Sequence, residues 1–187
     1  MEEVIVLNTE EKKEKKVEIT PLPLYDENFP MLKMRMPEYV LSLPNKNMNV
    51  LIERLKMTMK LYGGIGLSAN QCGVMERVFV IGSEDFQMAC INPRVISESA
   101  ELEKEQEGCL SYPALSVKIP RSKRIEVEFM NEMGEIKQST LEGLSARCFL
   151  HELDHMNGIR LVDKVGQASM LMARKKQSKR LNNFKKK

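Results

Sequence analysis

Hydrophobic residues recur with a helical period in two segments of the chain. Between residues 47 and 62 they lie three or four positions apart, and the pattern stops at Gly63 and Gly64. Such spacing predicts an amphipathic helix, and glycine is common just beyond a helix end. The same period returns between residues 144 and 156 and stops before Gly158. We therefore expect one helix in each half of the chain.

Between the two predicted helices the pattern is that of short β-strands. Runs of β-branched and aromatic residues, or alternation of apolar and polar residues, are typical of strands, and clusters of Gly, Asn and Asp are typical of turns. The predicted strands are residues 77–81, 88–91, 118–120, 125–129 and 135–141, with turns at 82–85 and 131–134. We expect the acidic stretch at residues 98–107 to be a solvated loop or an edge. Helices combined with antiparallel strands predict an α+β domain.

The two ends of the chain lack a hydrophobic period. Residues 1–20 are polar and charged, which predicts a loose arm or an edge strand over residues 3–7. Three prolines between residues 21 and 30 then argue against a regular helix. Residues 174–187 contain eight Lys or Arg and no acidic residue. The predicted division is an arm (1–20), a main domain (21–165) and a basic C-terminal helix or tail (166–187).

The composition is that of one soluble domain. The 187 residues are 42% hydrophobic and 29% charged, which is enough apolar material for one core. No apolar run approaches the roughly 18 residues that a membrane span needs. The N-terminal residues have the features of neither a secretory signal nor a transit peptide. We therefore expect a cytoplasmic protein with no membrane contact, and we expect it to be a monomer.

The four cysteines of the chain are irregularly spaced. They are Cys72, Cys90, Cys109 and Cys148. In a reducing compartment such cysteines are core residues, metal ligands or nucleophiles more often than they are disulfide partners. We assign Cys72 and Cys90 to the core and expect at least one of the other two to have a chemical role.

The sharpest local motif is His151-Glu152-Leu153-Asp154-His155. Positions i and i+4 share one face of a helix, so both imidazoles can bind one metal ion while Glu152 handles a proton beside it. These are the only two histidines of the chain, and the predicted helix is apolar on two sides. A helix of that kind is buried. The alternative interpretation is a pair of hydrogen-bonded core histidines.

A catalytic metal site commonly has three protein ligands and one open position. The candidate for the third ligand is Cys109 in the segment Glu107-Gly108-Cys109-Leu110-Ser111, although a lone cysteine is more often a small core residue. Gly108 lets the backbone approach a ligand closely, and Leu110 offers a backbone N–H toward the same site. A further segment, residues 64–71, is rich in glycine, but it follows a helix and lacks the spacing of a nucleotide-binding loop.

The three segments 64–71, 107–111 and 151–155 resemble the peptide deformylase family in their order and approximate spacing, over about residues 20–165. The resemblance implies an α+β fold in which antiparallel sheets pack around a central helix that carries the His-Glu-x-x-His motif. It also implies the activity, which is metal-dependent hydrolysis of the N-formyl group from the initiator formylmethionine of nascent polypeptides. Formylated nascent peptides would be the substrates, and formate would be released.

The resemblance further implies a role for each matching residue. The metal ligands would be Cys109, His151 and His155. The ion would be one divalent metal, Fe2+ in most members, although the same ligands accept Zn2+, Ni2+ or Co2+. Glu152 would act as general base and then as general acid, while the Gln71 side-chain amide and the Leu110 backbone N–H would stabilise the oxyanion. The substrate-binding residues would be Gly64, Ile65, Gly66, Gly108, Leu144 and Cys148.

The chain departs from the family's pattern at several positions. Ser68 stands where alanine is common, Leu150 replaces a frequent glutamine, and Arg147 takes a usually apolar position near the pocket rim. These changes bear on pocket shape and substrate preference rather than on the metal. Ser116 stands near the place of an arginine that many bacterial members carry, and Lys118 is a candidate to replace its charge.

The basic C-terminal run leaves two interpretations open. In bacterial deformylases a C-terminal helix docks on the ribosome, so the run suggests contact with ribosomal RNA. The alternative is a solvated, disordered tail.

Two rival functions are weighed against the deformylase interpretation. A zinc peptidase of the same motif class is disfavoured by Cys109, because those enzymes usually take a third His or Glu. An inactive ribosome-binding relative with a structural metal is disfavoured by Gln71 and Glu152, because a structural site needs neither an oxyanion donor nor a general base.

Overall fold

The computed structural model describes residues 19–83 and 87–184. Within them the chain forms three α-helices and seven β-strands. The helices are α1 (Lys46–Leu61), α2 (Gly143–Met156) and α3 (Gln167–Phe184), and the strands are β1 (Gly66–Ser68), β2 (Val78–Gly82), β3 (Gln87–Glu98), β4 (Leu102–Cys109), β5 (Tyr112–Ser122), β6 (Arg124–Met130) and β7 (Ile136–Glu142). No helix in this part of the chain has the length and apolar character needed to cross a membrane. Most of the predicted N-terminal arm, and the end of the predicted turn at 82–85, lie outside the described residues.

The strands form two antiparallel sheets. Five of them are ordered β1-β2-β3-β6-β7, and β4 pairs with β5 in a separate two-stranded sheet. On β6 buried side chains alternate with more exposed ones, as the alternation at residues 125–129 predicts. Alternation of this kind turns one face of a sheet toward the core and the other toward solvent. The predicted strands are confirmed, although β3 and β5 extend well beyond the predicted bounds.

Helix α2 is the central element and contacts strands of both sheets. Its Phe149 packs edge-on against Phe79 of β2, with ring centroids 5.1 Å apart. Cys90 is buried in the same apolar cluster, and Cys72 is buried in the neighbouring one, as predicted. Burial at roughly 25 cal/mol per Å² of apolar surface, rather than intrinsic propensity, stabilises a helix of this length. The predicted α+β fold around a central helix is confirmed.

Helix α1 begins after a capping residue and ends before a glycine. The side chain of Asn45 accepts a hydrogen bond from the backbone N–H of Met48 at 2.9 Å and caps the first turn. Gly63 lies just beyond the last turn with a φ of 65°, a left-handed conformation that costs glycine little. This ending confirms the predicted helix and leads the chain directly into the glycine-rich segment at residues 64–68.

The acidic stretch at residues 98–107 includes a strand rather than a solvated loop. Most side chains of β4 are exposed, as expected of an edge, but Glu107 is only 6% exposed. A buried carboxylate must be paired or hydrogen-bonded, because removing its charge from water is costly. The partners of Glu107 are side chains from β5 and α2, and they form part of the site described below.

Helix α3 covers most of the basic C-terminal segment. It packs on β5, where Ala173 is buried in a third apolar cluster. Arg174 forms an ion pair with Glu27, and Nε2 of Gln177 donates to the backbone oxygen of Pro113 at 2.8 Å. Residues 167–184 are therefore a docked helix, and residues 185–187 lie outside the described part of the chain.

Candidate active site

Two elements bring three potential metal ligands together. His151 and His155 lie one turn apart on α2, and Cys109 is the last residue of β4. One ligand atom from each residue lies within 4.8 Å of the other two. Sγ of Cys109 lies 3.3 Å from Nε2 of His155. The structure therefore gathers at one point the three residues that the sequence motifs supply from two separate segments.

The three donors suit a divalent transition-metal ion. Thiolate and imidazole ligands lie about 2.3 and 2.1 Å from zinc in tetrahedral sites, which puts neighbouring donor atoms about 3.5 Å apart. The separations of the three ligand atoms are compatible with this geometry. Burial lowers the pKa of His155 well below its ordinary value, so its ring is neutral, which is the form that binds a metal ion.

Glu107 orients His151. Nδ1 of His151 lies 3.1 Å from Oε2 of Glu107, which leaves Nε2 available to an ion. Burial alone would lower the pKa of His151, but hydrogen bonds to Cys109 and Glu107 outweigh burial and raise the pKa to about 10. The ring is therefore protonated at neutral pH in the metal-free protein. An ion that binds Nε2 must displace that proton.

Two arginines neutralise Glu107. Arg121 of β5 donates from Nε and Nη2 to the two carboxylate oxygens at 2.8 and 2.9 Å, and Arg147 of α2 donates from Nη1 at 2.7 Å. Arg121 also donates to Asp154 of α2 at 2.6 Å. Burial alone would raise the pKa of Glu107, but hydrogen bonds from Arg121 and His151 lower it to about 2. The network ties β4, β5 and α2 together behind His151.

The charge of Arg147 is held inside the protein rather than at the pocket rim. The residue is 6% exposed. Besides Glu107, its guanidinium donates to the backbone oxygens of Ile119 at 2.9 Å and Glu103 at 2.6 Å. Arg147 still lines the cavity beside the potential ligands. Arg147 therefore affects the shape of the cavity wall, and it does not present an unpaired positive charge to the pocket.

Glu152 lies beside the two histidines and is almost fully buried. Its Oε2 accepts a hydrogen bond from the hydroxyl of Ser68 at 2.6 Å. Burial raises the pKa of the Glu152 carboxyl, while the charge of His151 and the hydrogen bond from Ser68 offset part of the rise. A Cβ atom at Gly66 would overlap Oε1 of Glu152 and lie 2.8 Å from Sγ of Cys148. The absence of a side chain at residue 66 therefore makes room for the carboxylate.

Gln71 lies in a short 3₁₀ turn, Ala69–Cys72, that follows β1. Its Oε1 accepts a hydrogen bond from the backbone N–H of Ser68 at 3.0 Å. Its Nε2 donates to Oγ of Ser111 at 3.1 Å and lies 3.4 Å from Sγ of Cys109. With the oxygen end held in this way, the amide N–H group is fixed beside the potential metal ligands. A fixed donor in such a position can stabilise a negative charge that develops nearby.

One cavity of about 350 Å³ joins these groups. Apart from His155, which is buried and is not among the lining residues, every site residue predicted from the sequence lines this cavity. They are Gly64, Ile65, Gly66, Gln71, Gly108, Cys109, Leu110, Leu144, Cys148, His151 and Glu152. A second cavity of about 230 Å³ shares Ile65, Leu144 and Cys148 with the first. The apolar wall formed by these three residues therefore faces both cavities.

The sequence motifs missed the residues that support the site. The motifs give Glu107 no role, they mark Ser68 only as a departure from the family's pattern, and they do not include Arg121. In the register of β4 and β5, Arg121 lies opposite Glu103 and Glu107 lies opposite Val117, so even a correctly aligned hairpin offers no directly facing pair of charges as a signal for this contact. No local pattern indicates the contact between Ser68 and Glu152, which are 84 residues apart in the chain.

Comparison with known proteins agrees with the geometry. The profile of the Polypeptide deformylase family matches residues 21–170. The peptide deformylase of Thermotoga maritima is 43% identical over 132 residues, which cover 71% of this chain and 80% of that protein. The peptide deformylase of Prochlorococcus marinus is 37% identical over an alignment of 187 residues, which covers 94% of this chain and 90% of that protein.

A solved structure gives the same result at the level of the fold. The crystal structure of a peptide deformylase from Synechococcus elongatus, in complex with actinonin, matches with a TM-score of 0.79 and 32% identity. The match covers 88% of this chain and 90% of that chain. Because the family profile spans most of the chain and the relatives align over most of their own length, the chain belongs to the polypeptide deformylase family.

Proposed function

We propose that the chain hydrolyses the formyl amide of N-formylmethionyl nascent peptides at the cavity between β4 and α2, and that it acts as a cytoplasmic monomer. The observation that carries the proposal is the meeting of Cys109, His151 and His155 within 4.8 Å, with Glu152 and Gln71 in the same cavity. Membership of the polypeptide deformylase family supports the same reaction.

The proposed cofactor is one divalent ion, Fe2+, held by Cys109, His151 and His155. One thiolate and two imidazoles form a donor set that also accepts Zn2+, Ni2+ or Co2+. When bound, the ion supplies Lewis-acid chemistry, because it acidifies water and polarises a carbonyl oxygen. The neutral ring of His155 and the fixed orientation of His151 support this assignment.

Glu152 is the proposed general base and then the general acid. It would take a proton from the attacking water and deliver it to the departing amine, after which formate leaves. A carboxyl whose pKa is raised by burial is better matched to proton transfer near neutral pH than an exposed one. The position of Glu152 on the cavity wall, next to His151 in sequence, supports this role.

Gln71 and Leu110 are the proposed donors to the oxyanion. The amide nitrogen of Gln71 lies 3.4 Å from Sγ of Cys109, so it is close to any carbonyl that approaches the potential ligands. Leu110 follows Cys109 directly and lines the cavity. Donors that are fixed before the reaction stabilise the transition state without reorganisation at the moment of attack.

The proposed peptide site runs along the glycine-rich segment and the end of β4. The backbone at Gly64, Ile65, Gly66 and Gly108 would pair with an extended peptide, as strands pair at a sheet edge. Leu144 and Cys148 line the cavity and would contact the methionine side chain. Main-chain pairing combined with one apolar pocket would make the enzyme tolerant of the residues that follow methionine.

Contact with ribosomal RNA through α3 is a further part of the proposal. Lys175, Lys176 and Lys179 of α3 are exposed, whereas Arg174 and Gln177 bind the body of the protein. A row of exposed lysines on a docked helix attracts phosphate groups regardless of sequence. This would place the enzyme where formylated chains emerge.

The test is formate release from formyl-Met-Ala-Ser by anaerobically purified, iron-loaded protein. The matched variant is Glu152→Ala, which keeps all three proposed ligands. Release by the parent and none by the variant, at equal metal content, is the expected result. If folded, iron-loaded parent released no formate, the reaction would be abandoned in favour of a non-catalytic ribosome-binding role.

A further inference from the structure

We propose that Ser68 is a positioning residue, whose hydroxyl holds the carboxylate of Glu152 in the orientation used for proton transfer. The proposal rests on the proposed function of Glu152. Ser68 is fully buried at the end of β1, and its Oγ lies 2.6 Å from Oε2 of Glu152. The resemblance to known deformylases gives this position no role.

The hydroxyl proton of Ser68 has one favoured acceptor. An ionised carboxylate can only accept hydrogen bonds, so the serine must be the donor. The backbone oxygen of Glu152 also lies near Oγ, but at 3.3 Å it is the longer contact. A hydroxyl has a single proton, and hydrogen bonds to a charged acceptor are shorter and stronger than those to a neutral one. The proton of Ser68 is therefore directed at Oε2.

Within the described part of the chain, no second side chain holds Glu152 in the same way. Among residues 19–83 and 87–184, Ser68 supplies the one hydrogen bond to the carboxylate. On the other side, Oε1 lies against Gly66, which leaves no room for a Cβ. Without the hydroxyl, steric contact alone would limit rotation of the carboxylate, and such contact does not select one orientation. Small misplacement of a reacting group costs rate even when the fold is intact.

The backbone and the side chain of Ser68 bind different partners, so a substitution can remove the contact of the side chain without removing that of the backbone. Its backbone N–H donates to Oε1 of Gln71 at 3.0 Å, and its hydroxyl donates to Glu152. Ser68→Ala keeps the first bond and removes the second. Ser68 does not line the cavity, so the substitution leaves the residues proposed to bind peptide unchanged.

The first experiment compares iron-loaded parent and Ser68→Ala with formyl-Met-Ala-Ser, at metal contents shown to be equal. The expected result is a kcat about tenfold lower with KM within about twofold of the parent, because the hydroxyl acts on proton transfer and not on binding. An unchanged kcat, or a loss confined to KM, would overturn the proposal.

The second experiment separates a purely structural hydroxyl from one that acts on Glu152, and it does not depend on catalysis. The melting temperature is measured for Ser68→Ala in the parent and in the Glu152→Ala background. We expect a loss of about 4 °C in the parent, as for one hydrogen bond to a charged group in a protein of this size. In the Glu152→Ala background the loss should be under about 1 °C, because the partner is already gone.

Ser111→Ala is the matched control. Ser111 is equally buried and accepts a hydrogen bond from Gln71, but among the described residues it forms no hydrogen bond with Glu152. Its effect on the melting temperature should be the same in both backgrounds. If Ser68→Ala lowered the melting temperature equally in both backgrounds, the proposal would be contradicted. Absence of formate release by the parent would instead overturn the proposed function, while the melting temperatures would still decide whether Ser68 and Glu152 are coupled.

Discussion

Nη1 of Arg147 lies 2.7 Å from Oε1 of Glu107, so the positive charge that α2 carries beside the cavity is paired inside the protein. Arg121 binds the same carboxylate from β5. Glu107 in turn contacts the ring of His151. The geometry of a proposed metal ligand therefore depends on two arginines that are not themselves proposed ligands.

Arg147→Met should destabilise the protein. The variant keeps an unbranched apolar stem but removes the guanidinium and its three hydrogen bonds, to Glu107, Ile119 and Glu103. Breaking one side of a buried ion network costs several kcal/mol, although Arg121 still neutralises the carboxylate. We expect the melting temperature to fall by about 5–10 °C. Thermal unfolding followed by circular dichroism measures this directly.

Arg94→Met is the control for Arg147→Met. Arg94 also pairs with a glutamate, Glu128, but its side chain is 69% exposed. Exposed ion pairs contribute little, since solvent screens them. The control should lower the melting temperature by less than about 2 °C. A similar fall in both variants would mean that the buried network contributes no more stability than an exposed ion pair.

Glu107→Gln should weaken metal binding. The amide keeps the shape of the carboxylate, but it loses the charge that orients and polarises His151. Loss of such a partner typically lowers metal affinity about 10–100-fold. Competition with a chromophoric chelator would report the affinity, and Glu105→Gln is the control, because Glu105 is exposed on the same strand. An affinity for Glu107→Gln equal to that of the control would contradict the positioning role.

The sequence predicted α2 and its metal motif because both depend on local spacing. The four-residue separation of His151 and His155 fixes their common face on any helix, and the apolar stripes beside them indicate burial. The third ligand is harder to predict from the sequence. Cys109 is a lone cysteine, and its approach to the histidines depends on the path of β4. Only the family resemblance favours a role as a metal ligand over a place in the core.

The supporting contacts could not be predicted from the sequence because they join distant segments. Arg121 and Glu107 lie on the same face of the β4–β5 pair although they are four positions apart in its register, and a shift of one residue would turn either side chain to the opposite face. Ser68 meets Glu152 because β1 packs against α2. Hydrophobic patterns specify which faces are buried, but they do not specify which polar atoms then face each other.

The stability that Glu107 contributes should disappear in acid. Its folded pKa is lowered to about 2 from an ordinary value of 4.5, so the stabilisation is present above pH 4.5 and is lost as the pH falls from there toward 2. Glu107→Gln also removes a contact that raises the pKa of His151, so the parent and the variant are compared below pH 4.5, well under the ordinary histidine pKa of 6.5. In the metal-free proteins, urea unfolding at several pH values should show a difference in unfolding free energy that shrinks as the pH falls from 4.5 toward 2. A difference that grew in acid would contradict the lowered pKa.

Replacing Lys175, Lys176 and Lys179 with serine should weaken ribosome binding. These side chains are exposed on α3, and each phosphate contact adds to the salt dependence of binding. We expect the slope of log affinity against log salt to fall by about 3 in magnitude. Co-sedimentation with ribosomes across a salt series would measure it.

The control for the α3 variant is a second triple variant with the same change in net charge, Lys46, Lys104 and Lys118 to serine. These lysines are exposed on other elements of the protein. If ribosome binding depends on α3, the control keeps the parental slope. Equal decreases of the slope in both triple variants would indicate a general effect of net charge. An unchanged slope in the α3 variant would contradict the proposed contact between α3 and the ribosome.

Gly66→Ala should reduce activity sharply while leaving the fold intact. The added Cβ would overlap Oε1 of Glu152 and lie 2.8 Å from Sγ of Cys148, so the carboxylate must move aside. A displacement of about 1 Å in a reacting group can cost about 100-fold in rate. We expect that loss in kcat at unchanged metal content. Gly166→Ala, whose Cβ would meet no atom of the described residues within 4 Å, should retain parental activity. A Gly66→Ala enzyme with the parental kcat would show that the position of Glu152 is not limiting.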